Sequence, residues 1–165
     1  MPERDNYAEK SVFISLAHLH VVEYLVQQGG DLTAENNHAV QLASEYGHLD
    51  MVQYLVSHGA DVTTDRNTAI VTASANGHLD VVEYLVQQGA DPLTNNNNAL
   101  RLAASEGHLE VVRYLVSVGA DPRANDNYAA KWASIHGHSD VVEYLLSVGA
   151  DEPSFDGWKS VKCCF

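Results

Sequence analysis

Gly77-His78-Leu79-Asp80-Val81-Val82-Glu83-Tyr84-Leu85-Val86-Gln87-Gln88-Gly89-Ala90-Asp91 decides the fold, because close copies begin at Ala17, Gly47, Gly107 and Gly137, thirty residues apart. A fixed interval of this size marks an array of small units, none able to bury its apolar face alone and each covered by its neighbours. The chain is therefore expected to be a solenoid. Within the stretch, Leu79, Val82, Leu85 and Val86 gather on one side of a helix, while Asp80 and Glu83 point to water. Asp80 also sits near the positive end of that helix's dipole.

Upstream of each break glycine lies another short helical pattern. In one unit, Asp91 to Asn96 is loop, and Asn97 stands where a helix N-cap belongs, in a column with Asn37, Asn67 and Asn127. Behind it Ala99, Leu102 and Ala103 share one face, expected to be inward. The other units place Ala39, Leu42, Ala43, then Ala69, Thr72, Ala73, then Ala129, Trp132, Ala133 there. Small residues thus recur where helices must approach closely, with Thr72 and Trp132 as the irregular members. Gly47, Gly77, Gly107 and Gly137 end the first helix and Gly59, Gly89, Gly119 and Gly149 the second, with Pro92 and Pro122 holding two of the following loops extended. The expected fold class is all-α, an α-solenoid of stacked antiparallel helix pairs with short loops.

Residues 1–30 read as a degenerate N-terminal capping repeat, since Glu9 and Lys10 replace the alanine and aliphatic of later units. Residues 31–150 hold four regular units, at 31–60, 61–90, 91–120 and 121–150, and residues 151–165 a C-terminal cap and frayed tail. Phe155 and Trp158 either cover the exposed end of the last unit or hook a partner. Cys163 and Cys164 are adjacent near the terminus, cannot staple a fold, and read as reduced thiols. A prenylation box would need cysteine where Lys162 stands.

The 165 residues, 45% apolar and 19% charged, suit one folded domain. A formal charge of -13 repels phosphate backbones and anionic headgroups, so neither nucleic acid nor membrane is expected as a partner. No secretory or membrane-spanning apolar run is present. The expectation is a soluble, cytoplasmic monomer.

The runs Gly-His-Leu-Asp-Val-Val-Glu-Tyr-Leu-Val and Gly-Ala-Asp resemble the second helix and exit turn of ankyrin repeats, over residues 17–151. Ordinary ankyrin units are about 33 residues long and open with Thr-Pro-Leu-His; these are shorter and open Asn97-Asn98-Ala99-Leu100-Arg101 or Asn67-Thr68-Ala69-Ile70-Val71. The resemblance implies that the missing residues come from the projecting hairpin, leaving short loops or stubby hairpins. This short variety is similar to the arrays abundant in large DNA viruses that infect amoebae, which would make the compartment a host cytoplasm. The family likeness also implies that the histidine column His18, His48, His78, His108 and His138 bonds backbone groups between neighbouring units.

No catalytic, metal or cofactor site is expected. Equivalent histidines in stacked units lie one helix-packing distance apart, roughly 8 to 10 Å, whereas zinc ligands each stand about 2 Å from the metal. No nucleophile elbow, phosphate-cradling loop or His-Glu-x-x-His box occurs. The tyrosine column Tyr24, Tyr54, Tyr84, Tyr114 and Tyr144 reads as packing or, alternatively, as a partner-binding stripe. Asp50, Asp80, Glu110 and Asp140 read as solvated helix starts.

Residues repeated in every unit hold the stack, so recognition falls to positions that differ between units. These are the ends of the first helices and the loop tips, which in ankyrin proteins line the concave groove. The candidate partner-binding residues are Tyr46, Arg66, Asn76, Asn96, Arg101, Glu106, Tyr128, Lys131, Ile135 and His136. Aromatic and arginine side chains supply most hot-spot energy, and an exposed aromatic or isoleucine among polar neighbours is the expected anchor, which favours Tyr46, Arg66, Tyr128, Ile135 and His136, with Arg101 and Lys131 as charged neighbours one turn earlier. The expected function is noncatalytic binding of another protein, as an adaptor or an occluding inhibitor; the alternative is a structural or self-assembling element using the tail.

Overall fold

The computed structural model describes residues 18–27 and 34–152. The expectations placed on the first half of the capping repeat, on Phe155, Trp158 and on the cysteine pair lie outside the described residues.

Among the described residues the chain is helical without strands. Helix α1 is Leu19–Gln27; then come the pairs α2 (Ala34–Glu45) and α3 (Leu49–Ser57), α4 (Thr64–Ala75) and α5 (Leu79–Gln87), α6 (Thr94–Ser105) and α7 (Leu109–Ser117), and α8 (Ala124–Ile135) and α9 (Ser139–Ser147). Each pair is an antiparallel hairpin, and the pairs stack in chain order as expected of a solenoid. First helices α2, α4, α6 and α8 pack against one another far more closely than α3, α5, α7 and α9 do. The alanine columns explain this, because Ala69, Ala73, Ala99 and Ala103 are buried to within 2% of complete and let backbones approach. A stack tighter along one helix row than the other bends toward the tight row, which puts the first helices on the inner side.

The core corrects the expected inward faces. On the first helices the fully buried set is Ala99, Leu100, Ala103 and Ala104, with Ile70 and Val40 in the column of Leu100. Leu102, Leu42, Thr72 and Trp132 are only half-buried. A helix sandwiched between two neighbours and its own partner is covered on three sides, so the buried arc widens and rotates past the i, i+3, i+4 stripe. On the second helices Val81 joins Val82 and Leu85 in complete burial for the same reason, while Leu79 and Val86 are partly covered.

The second correction concerns the asparagine column. Asn67 is not an N-cap: residues Asp65, Arg66 and Asn67 all stand in the left-handed region, with φ of 47°, 58° and 61°, and regular helix begins only at Thr68. Residues 95–97 and 125–127 repeat this left-handed turn, and Asn37 has φ 60°. Left-handed backbone costs an ordinary L-residue roughly 1–2 kcal/mol, least for asparagine and aspartate. That cost explains why all but Arg66 of these three triplets are Asn or Asp. The side chains face the next unit: Asn37, Asn67, Asn97 and Asn127 Oδ1 accept from the backbone N–H of Asp61, Asp91, Asp121 and Asp151, at 2.9, 2.9, 3.3 and 2.8 Å. An apparent helix cap is therefore a rung of a ladder between units.

The break glycines close the helices and seat the neighbours. Gly77 has φ 78°, and the amides of Gly77 and His78 reach back to Ser74 O and Ala73 O at 3.3 and 3.0 Å, a Schellman closure. Its missing Cβ is also a steric requirement, because a Cβ there would stand 2.5 Å from Nδ1 of His108 in the next unit.

Candidate protein-interaction surface

The accessible side of each first helix follows from its register. Positions four apart share a face, so the half-buried and exposed residues left by the buried arc fall into one stripe per unit. These stripes are His38-Leu42-Tyr46, Thr68-Thr72-Asn76, Asn98-Leu102-Glu106 and Tyr128-Trp132-His136. Their chemistry changes from unit to unit while the faces beneath stay alanine and aliphatic. Each stripe runs from the loop edge of the stack to the glycine edge.

Of the sequence candidates, Tyr46 and Ile135 are among the large apolar side chains left in water, at 48% and 55% exposure. Asn76, Glu106 and His136 are exposed at the same glycine edge, and Arg66 and Asn96 are exposed on the left-handed turns at the loop edge. A helix of this length holds the two edges roughly 13 Å apart, at about 1.5 Å per residue. These seven candidates therefore divide between two rims instead of forming one cluster, and the other three, Arg101, Tyr128 and Lys131, lie on the first regular turns of α6 and α8. Asn76 Nδ2 donates to Thr72 O of its own helix at 2.9 Å, which fixes that side chain along the stripe.

Among the described residues, the last two units bridge the rims with rings and charge. The guanidinium carbon of Arg101 lies 4.3 Å from the Tyr128 ring centre, a cation–π contact between adjacent units. Tyr128 and Trp132 have ring centres 5.4 Å apart, as have Trp132 and His136, and His138 lies 6.3 Å beyond His136. The alanine set predicts an inward Trp132; the structure places it in the middle of this aromatic row. Its irregularity among small residues was the available signal. A bulky ring replacing small and aliphatic residues at one position of a close-packed column has no room inside.

His136 has a structural task as well. His78 Nε2 and His108 Nε2 donate to Glu45 O and Ala75 O of the preceding unit, at 2.9 and 3.0 Å. At the next junction the corresponding acceptor, Ser105 O, lies 2.7 Å from His136 Nδ1. A variable residue thus takes over a bond made elsewhere by the constant histidine column, and Ser105, drawn under it, is buried.

The opposite face, made by the second helices, presents Asp50, Asp80, Glu110 and Asp140 to water. Its tyrosines Tyr54, Tyr84, Tyr114 and Tyr144 are half-buried against the core, and Arg113 lies 4.4 Å from the Tyr144 ring centre. Burial, with Glu83 adding to it, pushes the Tyr114 phenol above its usual range; burial and Glu23 do the same to Tyr54. Packing is the role these contacts support. Tyr24 differs, at 60% exposure. No three His, Cys, Asp or Glu side chains among the described residues come together as a metal site, and no helix there is long and apolar enough to cross a membrane.

Against known families, the chain matches the model for ankyrin repeats (3 copies) over residues 11–96, 61–126 and 92–156. No curated protein matches it.

Proposed function

Because the chain belongs to the ankyrin-repeat family, whose members generally mediate protein–protein contact, we propose that it is a noncatalytic module that captures a partner protein across the first-helix side of its stack. The observation that carries this reading is the division between a constant scaffold and four unlike stripes on one accessible face. Repeated residues are committed to glycine–histidine seating, asparagine rungs and the alanine–aliphatic core. What varies, apart from His136 in its bond to Ser105, is free to select a partner.

The surface chemistry supports the choice of face. Tyr46, Trp132 and Ile135 offer apolar anchors beside polar neighbours, the composition in which interface hot spots arise. The acidic second-helix face offers solvation. We further propose, from the resemblance of the short module to the arrays of large DNA viruses of amoebae, a host protein as partner and the host cytoplasm as the compartment. The self-assembling alternative draws only on the sequence of the tail.

Affinity capture tests the reading, with the triple variant Tyr46→Ala/Trp132→Ala/Ile135→Ala set beside Asp80→Asn/Glu83→Gln on the opposite face. Loss of the captured protein with the first variant and retention with the second is the expected result. Capture that survives the first and fails with the second would place recognition on the outer helices.

A further inference from the structure

Position by position, one column of the first helices changes character along the stack: Gln41, Val71, Arg101, Lys131. The cations occur only in α6 and α8, in a chain of formal charge -13. Neither forms an ion pair with any described residue; the ion pair found there is Arg113 with Glu110, on the other face. The Arg101 guanidinium lies over the Tyr128 ring, and its Nε is buried with no hydrogen-bond partner among the described residues. A guanidinium stripped of part of its water and given no carboxylate has a strong residual preference for an anion. Lys131 stands half-buried at the equivalent place one unit on, beside Tyr128, Trp132 and exposed Ile135.

Resting on the protein-binding reading above, we infer that the groove over α6 and α8 takes an acidic segment of the partner, its carboxylates on Arg101 and Lys131 and an apolar side chain on the Tyr128–Trp132 row. Adjacent units lie roughly 8 to 10 Å apart, and a segment in the polyproline II conformation turns once in three residues while advancing about 3.1 Å per residue. Two acidic residues three apart therefore share a face, about 9 Å apart, and reach both cations at once. Two isolated cations on so acidic a body neutralise too few phosphates to hold a nucleic-acid backbone. A short carboxylate-bearing peptide needs only these two contacts and the apolar row.

Selection of random dodecapeptides on the full chain tests the inference, with the best-enriched peptide then titrated against Trp132 fluorescence in a Trp158→Phe background. Expected are peptides rich in Asp or Glu with the i, i+3 spacing, weakened about tenfold or more by Arg101→Gln/Lys131→Gln and unaffected by Asp80→Asn. Lys131→Gln alone serves if the double variant fails to fold, judged by helical circular dichroism. Enriched peptides that are neutral or basic, perturb Trp132, and bind the charge variant as well as the wild type would overturn the acidic-segment inference and leave the groove standing. Peptides that leave Trp132 undisturbed, or no enrichment, would overturn both.

Discussion

His108 lies over Gly77 of the preceding unit so closely that a Cβ on the glycine would meet the ring at 2.5 Å, while Nε2 of the same ring bonds Ala75 O at 3.0 Å. One contact thus joins helix termination to unit stacking. Gly47 with His78 repeats it, and a Cβ on Gly107 would meet His138 at 2.4 Å. Gly89, at φ 94°, has nothing within 4 Å of such a Cβ. The two glycine columns look alike in sequence and do different work.

Gly77→Ala is therefore expected to destabilise by about 2–4 kcal/mol, combining left-handed strain with displacement of a ring. Gly89→Ala carries the strain alone and should cost about 1–2 kcal/mol. Urea unfolding of the two variants checks this. Equal losses would mean that the ring over Gly77 is readily moved.

Asn67→Ala removes the acceptor for Asp91 N–H and leaves alanine at φ 61°. A loss of about 1–2 kcal/mol is expected. Asn67→Gly relieves the backbone and should recover part of it, whereas Asn67→Asp keeps both the acceptor and the tolerance for this conformation and should be nearly neutral. Were the column a set of helix caps, glycine would be almost as good as asparagine. Denaturation midpoints for the three variants distinguish the cases.

Asp61 Oδ1 accepts from the hydroxyl and the amide of Thr63, at 2.7 and 2.8 Å. These bonds, the side-chain one foremost, hold its carboxyl below the usual aspartate range. The stability linked to it is present above the ordinary aspartate pKa of about 3.9 and is lost as pH falls through the lower folded value. Carboxyl NMR titration should show Thr63→Ala raising the Asp61 pKa. An unchanged titration would remove the Thr63 hydroxyl as the leading cause and leave the backbone N–H.

Tyr114 runs the other way. Burial, then Glu83, raises its phenol pKa, so the folded chain holds that proton more tightly than the unfolded chain does. Its contribution is intact below about pH 10 and is lost as pH rises through the folded value. Glu83→Gln should lower the Tyr114 pKa in an ultraviolet titration without returning it to normal, because burial is the larger cause. A full return would reverse that order.

The array and its family were legible because thirty-residue identity survives in residues such as Gly77, His78 and Leu85, whose packing leaves no choice. The accessible stripes were legible only in part. Tyr46, Tyr128 and His136 announced themselves by varying beside constant neighbours, but Leu42, Leu102 and Trp132 were hidden by apolarity, which sequence patterning assigns to a core. The asparagine column misled for a related reason. Asn67 is a good cap residue and a good left-handed residue, and only the path of Asp65 and Arg66 before it decides between them.

Hydrogen exchange of the chain with and without its captured partner tests most directly the claim that constant residues stack while variable ones select. Protection is expected along α2, α4, α6 and α8 and at the turns ending them, with α3, α5, α7 and α9 exchanging as in the free protein. Protection confined to the second helices, or spread evenly over both rows, would contradict it.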